Sequence, residues 1–218
     1  MAIIANNPIN FKAGQSGDWQ DLYNSFVESA GDFSSIVCPH CGCQCTFKRC
    51  GTYRRFFYNC QEDHKSGYVL DIVILKCQAE NCGHEHALFP SWICPYSAFS
   101  YPMIVSILNF YYDTANQNLS KTAAAFNLDR AEVRNLIRKY SESQEALKEL
   151  SSVKNKHLTG TDLLRVLKEK AEQLREFLED FLHLHKVPFL QCHDILLSCS
   201  SKRFTGPFKV FRDKSYIP

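Results

Sequence analysis

The sequence predicts an α+β protein, a small β module first and helices after it. Three observations carry that expectation. Two paired-cysteine elements, Cys38-Pro39-His40-Cys41-Gly42 and Cys77-Gln78-Ala79-Glu80-Asn81-Cys82-Gly83, bracket β-branched chain. From Tyr101 onward apolar residues recur at spacings of three and four, the period of a helix. Two short helical patterns meet at Asn127, and the second has a basic side. The expected boundaries are an N-terminal amphipathic helix or arm over 1–37, the β module and a connector over 38–100, paired helices over 101–150, and a long helix with a basic-aromatic tail over 151–218.

Each cysteine pair ends in Cys-Gly. Glycine there lets the backbone adopt φ > 0 and turn its N–H groups toward the sulfurs. Two such knuckles offer the thiolates of Cys38, Cys41, Cys77 and Cys82 as a tetrahedron, the geometry of structural Zn2+. A four-sulfur site leaves no open position, so the metal is expected to hold the fold and do no chemistry. The second pair is spaced by four residues where two is usual, and the interval from Cys41 to Cys77 exceeds the common spacing of about 15–20. The extra length reads as strands: Thr46 to Arg49 and Tyr53 to Asn59 around a turn at Gly51, then Tyr68 to Lys76. The expectation is a three-stranded β zinc ribbon. Against it stands the plainer possibility of buried or reactive cysteines. Cys43, Cys45, Cys50, Cys60 and His64 repeat no knuckle pattern, so no second metal site is expected of them. His84 and His86 read as strand histidines satisfied by backbone rather than as substitute ligands.

Composition adds bounds. With 218 residues the chain holds one large domain or two to three small ones. Lys+Arg 25 against Asp+Glu 23 leaves the overall charge silent about partners. Of the 11 cysteines, Cys38, Cys41, Cys43, Cys45, Cys50, Cys60, Cys77 and Cys82 crowd into one stretch, which suits a metal module better than a disulfide framework. Met1 to Pro8 lacks the charge and apolar core of a signal peptide. No apolar run reaches the roughly 20 residues of a membrane span. A cytoplasmic protein with reduced thiols is expected.

Along the chain, Trp19, Leu22, Tyr23, Phe26 and Val27 fall at helical spacing, with Asp18 placed to cap them. Such a helix packs on the ribbon or docks a partner, and the first is the commoner fate of an apolar stripe. Lys48, Arg49, Arg54 and Arg55 cluster with Phe47, Tyr53, Phe56 and Phe57 around the expected turn. They suit phosphate contacts or a solvated hairpin. Pro90 and Pro95 make 86–97 a stiff connector, with Trp92 and Tyr96 expected in the junction and Cys94 buried. Pro102 suits a first helical turn, and Met103, Ile104, Ile107, Leu108 and Tyr111 form an apolar face. Ser120 is placed to cap a short helix with small Ala123 and Ala124. Asn127 supplies a left-handed turn, and Asp129 caps a second helix. On that helix Val133, Leu136, Ile137 and Tyr140 point inward. Arg130, Arg134, Asn135 and Arg138 point outward with Lys139 at the flank. A short helix bracing a second one is the arrangement of a helix-turn-helix, which lays its second helix in the major groove. Arginine reads guanine and asparagine reads adenine there. Lys121 and Thr122 of the first helix complete the expected contact set. The plainer alternative is an ordinary bundle with one basic face.

The Cys-Pro-x-Cys knuckle, the Gly51-Thr52-Tyr53-Arg54-Arg55 run, the Cys-x-x-x-x-Cys-Gly-His element and the following paired helices resemble insertion-sequence proteins. These are the zinc-ribbon DNA-binding ends of bacterial transposases and the small regulators encoded beside them. The run from His86 to Ile93, then Pro95-Tyr96-Ser97, is similar to an uncharacterised bacterial family associated with mobile elements. The resemblance covers about Val37 to Tyr140. It implies Cys38, Cys41, Cys77 and Cys82 as zinc ligands and a recognition helix from Arg130. The four-residue spacing of the second knuckle departs from the usual pattern.

Thr161 is placed to cap one long helix from Asp162 to about His185, striped by Leu163, Leu167, Ala171, Leu174, Leu178 and Phe181. That stripe covers the preceding helices or pairs two copies in a homodimer. His183, His185, Cys192, His193 and Cys199 match no ligand spacing. Ser200 to Pro218 interleaves Lys202, Arg203, Lys209, Arg212 and Lys214 with Phe204, Phe208, Phe211 and Tyr216, a composition suited to nucleic acid or a partner. No carboxylate set, glycine-rich phosphate loop or nucleophile constellation is evident, so a non-enzymatic role is expected. Two functions compete: a sequence-specific binder of double-stranded DNA in a mobile element, partnered by a transposase or another protein, and an assembly subunit whose ribbon and helices bind proteins or a nucleoprotein complex.

Overall fold

The computed structural model describes residues 2–5, 19–31, 33, 36–44, 46–61, 64–90, 92–154, 160–169, 171–185 and 189–190. Its sheet has four strands in the order β1-β4-β3-β2. Strands β2 (Phe47–Gln61) and β3 (His64–Cys77) form a long antiparallel hairpin, paired from Phe47↔Cys77 to Gln61↔His64. Strand β4 (Glu85–Pro90) adds antiparallel to β3 from Lys76↔Glu85 to Ile74↔Ala87. Of the three expected strands, the first two are one continuous strand, β2, and the third is β3; the third antiparallel strand is β4, an inner strand made by the start of the stretch expected to be a connector. A fourth, β1 (Ala2–Ala5), pairs parallel with β4, and no local pattern had marked it.

Gly51 does not make the expected turn. It follows a β-bulge within one continuous strand, where the register slips between Arg49 and Gly51. A bulge inserts one residue and reverses which side chains share a face. Before it, Phe47 and Arg49 share a face with Cys77 and Leu75. After it, Tyr53, Arg55 and Phe57 share the opposite face with Ile72, Leu70 and Tyr68.

Helix α1 (Trp19–Ser29) buries Trp19, Tyr23 and Phe26. Trp19 meets Phe57, Tyr68 and Trp92 at ring-centroid distances of 5.8, 5.3 and 5.0 Å. Pairing between β3 and β4 stops at Ile74↔Ala87. There the Tyr23 hydroxyl accepts from the Val73 N–H at 2.8 Å and donates to the Leu88 carbonyl at 2.9 Å. One helical turn earlier, Gln20 Oε1 accepts from the Asp71 N–H at 2.8 Å. The helix thus satisfies strand N–H groups that β4 leaves behind, as buried backbone requires.

The connector buries Trp92, Ile93 and Cys94. Tyr96, expected in the junction, is 63% exposed, because a left-handed φ of 57° turns the chain there and carries the ring outward. Ala98 and Ser100 then run beside β2: Tyr58 donates its N–H to the Ala98 carbonyl at 2.6 Å, and Ser100 donates to the Tyr58 carbonyl at 2.9 Å. That covers part of the outer edge of the sheet.

The helices follow. Ser100 caps α2 (Tyr101–Asn109), which is almost wholly buried and runs on into a π-helical turn over Phe110–Thr114. Then come α3 (Leu119–Phe126), α4 (Arg130–Glu142), α5 (Gln144–Lys154), α6 (Gly160–Glu169) and α7 (Ala171–His185). Over the span of the long helix expected from Asp162 to about His185, the described residues are helical as α6 and α7. Leu163, Leu164 and Leu167 on α6 and Leu174, Phe177, Leu178 and Phe181 on α7 all belong to the core that holds Met103, Ile104, Val133 and Leu136. Of the stripe offered for a homodimer seam, Leu163, Leu167, Leu174, Leu178 and Phe181 are buried in this core. Two cores result, one of sheet and α1, one of helices. No helix among the described residues is long and apolar enough to cross a membrane. The expectations for Asp18, Cys45, Cys192, His193, Cys199 and the 200–218 tail, and for the side chains of Cys60 and His64, lie outside the described residues.

Candidate metal centre and the basic helical face

The four predicted cysteines converge. Their sulfurs all lie within 4.8 Å of one another. Cys38 Sγ stands 3.8 Å from Cys82 Sγ, and Cys41 Sγ 3.9 Å from Cys77 Sγ. A disulfide closes to about 2.0 Å, so these thiols are unbonded. A zinc ion with Zn–S of about 2.3 Å sets the edges of its sulfur tetrahedron at about 3.8 Å. The donor set fits that ion in number, softness and spacing. Cys38 and Cys77 are buried, Cys82 half-buried and Cys41 exposed, so the centre opens to solvent on one side.

Local sequence makes each knuckle. Gly42 at φ 71° donates its N–H to the Cys38 carbonyl at 2.8 Å, and Cys38 donates to the Cys43 carbonyl at 2.9 Å. In the second knuckle Cys82 donates to Ala79 at 3.0 Å and Cys77 to His84 at 2.9 Å. Gly83 takes φ 61° as expected, and Asn81 adds a second left-handed residue at φ 66°. Asparagine tolerates that conformation, which lets a loop of four close like a loop of two. Burial pushes the Cys38 thiol up, but the N–H groups of Cys41 and His40 with the thiols of Cys41 and Cys77 outweigh it and bring it down to about 7. At Cys41 the Cys43 N–H pulls down, while burial and the sulfurs of Cys82 and Cys38 push up by more, so its thiol is raised. One member of the set therefore ionises readily near neutrality, the state a metal ligand needs.

The histidines divide. His86 is 1% exposed and sets its Nε2 3.3 Å from Cys38 Sγ, so its ring faces a ligand sulfur. Its signal was strand alternation: His86 and Leu88 share the buried side of β4. His40 and His84 are exposed and stacked at 3.3 Å between centroids. Their Nδ1 atoms lie 3.9 and 3.8 Å from Cys82 Sγ. His84 Nδ1 is also 3.0 Å from the Cys82 carbonyl, and His40, Cys82 and His84 form a second group whose ligand atoms all lie within 4.8 Å of one another.

The basic residues of β2 separate too. Lys48, Arg49 and Arg54 are exposed, and Arg54 stands 3.8 Å from Asp71 across the hairpin. Arg55, expected among them, turns inward. It donates to the Cys94 and Ser97 carbonyls at 2.9 and 2.7 Å and lies 4.7 Å over the Phe89 ring. The bulge explains the difference, since it sends 55 to the face that α1 and the connector cover.

On α4 the expected division of faces is present. Asn127 sits at φ 49°, and Asp129 with Glu132 forms a capping box in which the Asp129 N–H donates to Glu132 Oε2 at 2.9 Å. Val133, Leu136 and Tyr140 are buried; Arg130, Arg134, Asn135 and Arg138 are exposed and Lys139 half-buried. Arg138 is held by Glu142 at 2.7 Å and by Asn135 Oδ1 at 2.8 Å. Arg130 reaches Ser120 Oγ at 3.4 Å. Helix α3 corrects two expectations. Its cap is Asn118, which accepts from the Lys121 N–H at 2.9 Å, not Ser120. Thr122, expected to touch DNA, is fully buried, and its hydroxyl donates to the Asn118 carbonyl at 3.0 Å. Lys121 is exposed, with Nζ on the Thr114 carbonyl at 3.1 Å.

No protein family, curated protein or solved structure matches this chain.

Proposed function

We propose that the chain is a non-catalytic, sequence-specific binder of double-stranded DNA belonging to a mobile genetic element, acting as a regulator or as an end- or target-recognition subunit. One observation carries the reading. Helix α4 offers Arg130, Arg134, Asn135 and Arg138 on a single exposed side while Val133, Leu136 and Tyr140 lock its other side in the core. That is what a recognition helix of a helix-turn-helix needs: side chains that reach base edges from a rigid support. Helix α3 and the left-handed Asn127 brace it. Of the outward residues, Arg138 and Asn135 are tied to each other and to Glu142, which presents them as one preformed unit. Arg134 is the guanidinium best placed to read guanine alone. Lys121, Lys139, Lys48, Arg49 and Arg54 serve the phosphates, which position without specifying.

In this reading Zn2+ on Cys38, Cys41, Cys77 and Cys82 closes a zinc ribbon and supplies structure only, because four sulfurs leave no site for substrate. The protein works in the cytoplasm, where thiols stay reduced. The test is selection of bound duplexes from a random pool. A base preference that weakens in salt, that Arg134→Ala relaxes and that Cys38→Ser abolishes supports it. Equal binding of every sequence by wild type and Arg134→Ala overturns it.

A second reading has its own observation. Phe56 and Val69, partners across the hairpin, are 49% and 48% exposed on one sheet face. That apolar pair favours an assembly subunit that docks a transposase or another protein of the element. It predicts co-purification with that partner and little duplex binding by the lone chain in gel filtration.

A further inference from the structure

Four thiolates around a divalent cation leave a net charge of −2, and a buried sulfur cannot spread its share into water. Cys41 is exposed and Cys82 half-buried, so solvent serves them. Cys38 is 0% exposed. Its sulfur depends on internal donors: the N–H groups of Cys41 and His40 face it, and the imidazole of His86 stands 3.3 Å away through Nε2 as a side-chain donor. We propose that His86 is the positioning residue of the metal centre, donating its Nε2–H to the Cys38 thiolate when the four sulfurs hold a cation.

The surroundings fix the ring for that purpose. His86 pairs with Leu75 across the β3–β4 ladder, and Phe47 meets the imidazole edge-on at 6.2 Å. Leu75 and Cys77 share one face of β3, and Phe47, paired with Cys77, lies on that same face. His84, just before β4, supplies the carbonyl that accepts the Cys77 N–H at 2.9 Å. The three residues from His84 to His86 therefore hold one cysteine of each knuckle, Cys77 through main chain and Cys38 through a side chain. Outer contacts of this kind orient a ligand and tune its charge, and their loss lowers metal affinity by about 10–100-fold.

This rests on the metal reading and is independent of DNA. The experiment uses the full chain loaded with Co(II), then competition between a chromophoric chelator and Zn2+. Wild type is measured first: a chain that takes up no Co(II) with thiolate-to-metal absorption overturns the metal reading, and this proposal with it. His86→Leu keeps the bulk and removes the donor; His86→Gln keeps an amide N–H at similar reach. The expected result is a loss of affinity of about 10-fold or more in His86→Leu, with its thiolate-to-cobalt band moved to lower energy, and recovery of most of both in His86→Gln. Glu85→Ala, an exposed neighbour on β4, stays at wild type. If His86→Leu matches wild type, or if Leu and Gln variants lose equally, His86 serves packing alone and the proposal fails.

Discussion

Arg55 and Arg134 carry the same side chain into opposite surroundings. The first gives its guanidinium to two main-chain carbonyls of the connector and to the face of Phe89. The second leaves an exposed helix side. Hydrogen bonds made by a charged group contribute about 1.5–3 kcal/mol each, so Arg55→Ala is expected to cost about 3 kcal/mol of stability and to leave base preference alone. Arg134→Ala is expected to keep its melting temperature and to lose about 1–3 kcal/mol of discrimination at one base pair. Thermal melts and competition binding on both variants check the pair, and the reverse assignment of effects would defeat it. Nothing in a list of basic residues separates these two. Both stand in clusters of Lys and Arg, and only the extra residue at Cys50 decides that Arg55 faces inward. Thr122 is the same lesson on a helix: its hydroxyl looked available until α3 was packed. Cysteine and glycine were legible for the opposite reason. Their chemistry acts within five or six residues, so Cys38, Cys41, Cys77 and Cys82 announce their own meeting.

Among elements, those with local signals were readable and those decided by packing were not. The turn at Asn127 and the box of Asp129 with Glu132 depend on residues next to one another. Removing that cap by Asp129→Ala is expected to cost about 1 kcal/mol, seen as earlier unfolding in denaturant. The cap of α3 moved from Ser120 to Asn118 because Asn116 and Gln117, at φ 50° and 58°, reverse the chain one step sooner. Strand β1 was invisible because its partner is β4, more than eighty residues on. Helix α1 was foreseen, but its use as a wedge was not. Tyr23→Phe strips the bridge between Val73 N–H and Leu88 carbonyl while keeping the ring. Leaving those two buried groups unpaired is expected to cost about 1–3 kcal/mol by chemical denaturation, and an unchanged midpoint would show that the helix only packs.

At the scale of the molecule, burial sets an alkaline limit. Desolvation raises Tyr23 and Tyr140 to about 12 from 10.0 and Cys94 to about 11 from 9.0. The folded state holds these protons more tightly than the unfolded one. Their stabilisation is therefore full below pH 9 and is lost as pH rises from there toward 12. Denaturant melts at stepped alkaline pH should show that fall. Metal removal tests something larger, whether the two cores are one cooperative unit. Cys38 and Cys77 are themselves members of the sheet core, together with Trp19, Tyr23 and Trp92, whereas the helical core contains no ligand cysteine. The two cores meet where the connector and the start of α2 run against β2: Arg55 on the Cys94 carbonyl, Ser100 Oγ on Asn59 Oδ1 at 2.6 Å, the Tyr101 N–H on the Trp92 carbonyl at 3.0 Å, and Tyr58 against Phe99. Stripping the ion should thus release the knuckles and loosen the sheet while α2 to α7 keep their mutual packing. The chain's 2 tryptophans allow the two outcomes to be read separately, since Trp19 and Trp92 both lie in the sheet core, 5.0 Å apart. A chelator in reducing buffer is expected to shift tryptophan emission to the red and leave most helical circular dichroism in place. Parallel loss of both signals would make the ion a keystone of the whole chain, and the helical face could then bind DNA only in the metal-loaded protein.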